Sequence, residues 1–68
     1  MGVAEEIRRE LAFLGDAVEV SEGRGCVVVR VVKRVPAEDF SRFLKAVRGR
    51  GMRYAPIGGR WVWVLWLH

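Results

Sequence analysis

The chain has 68 residues, with 12 Lys and Arg against 8 Asp and Glu, a net charge of +4 and a pI near 10.2. That length allows one domain, over 1–68, and a core that buries only ~60% of the unfolded surface needs further support. The single cysteine, Cys26, excludes an internal disulfide, and the single histidine, His68, excludes a paired His or Cys zinc site, so the expected support is a homo-oligomer, most simply a dimer.

Val3, Ile7, Leu11 and Leu14 recur at helical spacing, with Glu5 and Glu6 in the first turn and Gly15 as a stop, which predicts a helix over 3–14. Phe13 lies roughly 100° around from Leu14, at the edge of that apolar stripe and placed to meet a partner or a second cluster. Val18 and Val20 alternate with Glu19 in a short strand over 17–20, and the Ser-Glu-Gly-Arg-Gly run at 21–25 reads as a turn. The following segment, 26–32, is nearly unbroken in β-branched residues, whose stiff χ1 suits a pleated surface. Apolar on both faces, it reads as a central or doubly covered strand, with Arg30 on the face opposite Val29 and Val31.

Val35-Pro36-Ala37-Glu38-Asp39 has the form of a helix start, with Pro in the first position and two acids meeting the positive end of the helix dipole. Ala37, Phe40, Phe43, Leu44 and Val47 then form an apolar stripe, while Arg42, Lys45 and Arg48 form a basic one. Gly49-Arg50-Gly51 ends the helix. A strand over 52–55, a Pro/Gly turn over 56–59 and a last strand over 60–67 complete a hairpin. The expected class is therefore α+β: an N-terminal helix, then a β-β-α-β-β unit whose four-stranded antiparallel sheet packs on the second helix. Only the N-terminal helix is then available to cover the other sheet face.

The chain contains no Asn, Gln or Thr, and ten of its twelve cations are Arg. Loss of thermolabile amides is a thermophile tendency, although a GC-rich genome produces a similar Arg, Ala, Gly and Val bias. Adenine is usually read in the major groove by Asn or Gln, so their absence argues against broad base-edge reading of duplex DNA. No apolar run reaches membrane-spanning length, and no basic segment leads into an apolar stretch with a small-residue cleavage site, which predicts a cytoplasmic protein without membrane contact.

Catalysis has little to work with. Ser21 and Ser41 lack a base nearby in sequence, and Cys26, at a strand start without a neighbouring His, reads as a small buried hydrophobe. Glu38 and Asp39 read as helix-start charges, and the glycine pairs lack the strand-then-helix context of a phosphate loop. No catalytic residue, metal or cofactor is expected.

Charge is divided along the chain. Residues 1–39 hold six cations and all eight acids, a net of −2, whereas residues 40–68 hold Arg42, Lys45, Arg48, Arg50, Arg53 and Arg60 and no acid, a net of +6. Such asymmetry marks an anion-binding surface, nucleic acid above all. Trp61 and Trp63 share one parity in the last strand and Trp66 the other. Exposed aromatics flanked by Arg30, Arg53 and Arg60 suit single-stranded DNA or RNA, because every base has a π-face and arginines follow the phosphates. The expected contact set is Arg30, Arg42, Lys45, Arg48, Arg50, Arg53, Tyr54, Arg60, Trp61 and Trp63. The alternative is a non-enzymatic oligomerisation or protein-interaction domain. Its apolar strand at 60–67 would form an interface, and its basic stripe would meet acids such as Glu5, Glu6 and Glu10 of a neighbour.

The β-β-α-β-β core over about 16–67, with Gly51-Met52-Arg53-Tyr54-Ala55-Pro56 followed by Gly59-Arg60-Trp61-Val62-Trp63, resembles the ThermoDBP proteins, single-stranded-DNA-binding proteins of thermophilic archaea. The resemblance implies four antiparallel strands gripping a helix and a hydrophobic cleft, bordered by basic residues, that admits DNA bases. It is a likeness of organisation, and the contact set above rests on charge and aromatic placement instead.

Overall fold

The computed structural model of the chain describes residues 2–67; His68, set aside above as a zinc ligand, lies outside them. Two helices, α1 (Val3–Glu10) and α2 (Ala37–Gly49), and four strands, β1 (Val18–Gly23), β2 (Cys26–Val31), β3 (Arg53–Ile57) and β4 (Arg60–Trp66), form an α+β domain. The strands make one antiparallel sheet in the order β1-β2-β4-β3, which puts the β-branched β2 and the tryptophan-rich β4 in the centre.

The N-terminal helix is shorter than its periodicity suggests. It stops at Glu10, and Ala12–Ala17 tightens into a 3-10 segment kinked at Gly15, whose φ is +56°. At three residues per turn, Leu11 and Leu14 stay on one side, and both are buried in the core. The first hairpin is correspondingly longer: Ser21 and Glu22 pair with Val28 and Val27, and the turn shrinks to Arg24-Gly25, with Gly25 at φ +67°. Pro36 is the cap rather than the first helical residue, and its carbonyl accepts the Phe40 N–H at 2.8 Å. Pro56 and Ile57, expected in the second turn, extend β3, and the turn is Gly58-Gly59 alone. Proline is tolerated there because β3 is an edge strand, where a missing N–H on the solvent side breaks no ladder. At the opposite edge, Arg8 of α1 donates from Nη2 to the Val20 carbonyl at 3.0 Å.

Both helices lie on the same sheet face. Ala4, Ile7, Leu11 and Leu14 join Phe43, Val47 and Met52 over Val27 and Val29, with Trp63 and Leu65 packed against them. The expectation that α1 could screen the other face is thereby corrected: its apolar stripe is used beside α2. The outer face holds a separate apolar cluster of Cys26, Val62 and Val64, flanked by Val28 and Ala55, which no described helix residue joins. Among the described residues no helix is long and apolar enough to cross a membrane.

Candidate nucleic-acid interface

Alternation along β4 sends Trp61, Trp63 and Leu65 to the helix side and Val62, Val64 and Trp66 to the outer face. The β3–β4 register sets Tyr54 opposite Trp63 and Pro56 opposite Trp61, so Tyr54 shares the helix-side face with both tryptophans. Its ring lies 5.2 Å from that of Trp61 at an interplanar angle of 28°, and 5.2 Å from that of Trp63 at 42°. Trp63 meets Phe43 edge-on at 6.2 Å, and Phe43 stacks on Phe40 at 5.8 Å. Five rings thus form one row, Trp61, Tyr54, Trp63, Phe43 and Phe40, which passes through the core at Phe43. Phe43 is 0% exposed, whereas Tyr54 and Trp61 are 55% and 57% exposed.

Rings from both ends of this row, with Val31, line one cleft: Val31, Phe40, Tyr54, Trp61 and Trp63 enclose about 270 Å³. Its walls are flat rings and aliphatic groups; the Tyr54 hydroxyl and the Trp61 and Trp63 indole N–H groups are their side-chain polar groups. Val31 and Trp61 are also walls of an adjoining, more open groove lined by Arg30, Val32 and Arg60. Arg30 is half engaged, with Nη2 3.2 Å from Glu19 Oε2, while Arg60 makes no ion pair among the described residues.

The ten expected contact residues therefore divide. Tyr54, Trp61 and Trp63 form the cleft, and Arg30 and Arg60 border it. The arginines do not flank the rings on a common face: Arg30, Arg53 and Arg60 have the opposite parity, and two of them reach Trp61 only at the end of the sheet. Arg53 sits on the outer face opposite Val64. Arg42, Lys45 and Arg48 are exposed on the side of α2 turned from its buried Phe43 and Val47, with the Arg42 guanidinium 4.0 Å over the Phe13 ring. Arg50 is held within the fold, its Nε donating to Glu10 at 2.8 Å and its Nη1 lying 3.5 Å from Glu6. The Glu10 hydrogen bond raises the Arg50 pKa above its ordinary value against the opposing effect of burial.

Val31 and Phe40, whose apolar patterning assigns them to the core, are cleft residues. Phe40 is 40% exposed because it lies one turn before the buried Phe43, near the start of α2. Its place in the first turns of α2, ahead of the buried Phe43, is the signal for it in the sequence.

Comparison of the chain with protein-family models, with curated proteins and with solved structures gives no match.

Proposed function

We propose that this protein is a non-enzymatic nucleic-acid-binding module that takes unpaired bases of single-stranded DNA or RNA into the aromatic cleft with little sequence preference. The observation that supports it is the half-exposed Tyr54–Trp61 stack opening beside the Arg30–Arg60 groove. Base stacking on an aromatic ring contributes ~1–3 kcal/mol and tolerates any base. The faces of the Tyr54 and Trp61 rings can be met by any base, which favours binding without strong sequence preference. Arginine supplies forked phosphate contacts next to the cleft, and these release counterions on binding.

Tryptophan fluorescence during titration with an unlabelled single-stranded oligonucleotide tests this. Saturable quenching at low salt that reverses at high salt is expected. Unchanged fluorescence together with unchanged anisotropy of a labelled oligonucleotide would refute it. A second reading, a protein-interaction domain or dimer formed through the apolar outer face, is favoured by Ile57 and Trp66, 42% and 59% exposed on that face. A stable oligomer in sedimentation that ignores oligonucleotides at low salt would select it.

A further inference from the structure

We infer that a bound strand does not end in the cleft but turns around the end of the sheet through the Arg30–Arg60 groove and continues on the outer face, with Trp66 as a second stacking platform. This rests on the reading just proposed and extends it to a face that reading does not use.

Three observations carry it. First, the two cavities are contiguous, because Trp61 and Val31 wall both, and the second opens on Arg60, whose parity in β4 is that of the outer face. Second, the outer face is arranged for an anion with apolar faces. Its centre is Cys26, Val28, Ala55, Val62 and Val64, and the ladder sets Arg30, Arg53 and Arg60 around that centre. Glu19, already paired with Arg30, is the acid that β1 to β4 bring to this face, while Arg53 and Arg60 make no ion pair among the described residues. Third, Trp66 lies at the far end of the same face, opposite Cys26, with 59% of its surface open to water. From Trp61 to Trp66 the strand rises about 17 Å, at ~3.3 Å per residue, so the two platforms are several nucleotides apart.

Charge decides between occupants. A second copy laid face to face on this sheet would bring three arginines against three more with two paired glutamates between them, and like charges juxtaposed in an interface are repelled. A phosphate backbone meets the same arginines as counterions, and a base stacks on the open ring of Trp66.

The test is anisotropy with labelled oligothymidylates of two lengths, about three nucleotides and about twelve, within the range a single-strand-binding domain covers. The proteins compared are the unaltered chain, Trp61→Ala, Trp66→Ala, Trp66→Phe and Arg53→Ala, each checked for its fold by circular dichroism. Trp66→Ala is expected to weaken the longer ligand about tenfold, in the range of one lost base stack, and to leave the shorter one unchanged. Arg53→Ala should act in the same direction, Trp66→Phe should restore affinity, and Trp61→Ala should weaken both lengths. If Trp66→Ala matches the unaltered protein on both ligands while Trp61→Ala weakens both, the inference is overturned and the cleft stands. If Trp66→Ala alters sedimentation from dimer to monomer without altering either affinity, the face belongs to a second copy and the inference is overturned. If the unaltered chain binds neither length, the parent reading fails and the inference with it.

Discussion

Trp61 and Phe43 belong to one row of rings, the first at its exposed rim and the second in the core, and truncating them should have separable effects. Phe43 is fully buried. Replacing it by Ala removes a large buried ring and leaves a cavity, a loss of ~3–5 kcal/mol, comparable with the whole stability of a small domain. Phe43→Ala is therefore expected to unfold, or nearly unfold, the chain in a urea melt. Trp61→Ala, more than half exposed, should move the melting midpoint little and abolish most of the fluorescence change on oligonucleotide binding. The difference was partly legible in the sequence. Parity separates Trp61 and Trp63 from Trp66 without a structure, but the stack of Tyr54 on Trp61 depends on the β3–β4 register. That register was hidden because Pro56 reads as a turn residue until β3 is known to be an edge strand.

Among the elements, the two α-helices, the four strands and their order are legible in sequence, because apolar period, β-branched runs and glycine turns are local signals, whereas the 3-10 segment Ala12–Ala17 hides inside the period of the first helix. The sequence does not say which side of the sheet α1 occupies, which is decided by tertiary packing of Ile7 and Leu11 beside Phe43. The same packing converts Arg50 from an expected phosphate contact into a tie between the end of α2 and α1. Arg50→Ala should thus lower stability by roughly 0.5–1 kcal/mol, as partly exposed ion pairs do, and leave oligonucleotide affinity unchanged. A loss of affinity without loss of stability would contradict that assignment.

Lys33 ties the β2–α2 connection to the 3-10 segment through Asp16 at 2.6 Å. The hydrogen bond from Lys33, and then its charge, hold the Asp16 carboxyl below its ordinary value of 3.8. Because the folded pKa is depressed, the stabilisation is complete above the ordinary carboxylate range and is lost as pH falls through the folded value. Both groups are exposed, so the effect is small. Comparing the acid limb of thermal stability for the parent and Asp16→Ala should show a difference that vanishes toward low pH.

For the molecule as a whole, the uneven charge along the chain resolves into distinct surfaces. One is the Arg30, Arg53 and Arg60 side of the sheet, and another is the exposed basic side of α2. If the three sheet arginines each neutralise a phosphate, the slope of log affinity against log salt is about −2 for a single strand, and Arg60→Ala reduces its magnitude by about 0.7. A slope near zero would remove the electrostatic half of the proposed function. Net charge alone conveyed that an anion was a plausible partner. The division among faces was not legible, because it depends on strand pairing and helix placement.

The two margins of the sheet carry one more consequence. Arg8 occupies a carbonyl of β1 on one side, and Pro56 withholds an N–H from β3 on the other. Such obstructions deter a neighbouring chain from adding a strand. If the proposed function holds, copies crowded along one strand would not join edge to edge into a fibre, and digesting the strand should leave no fibrous residue.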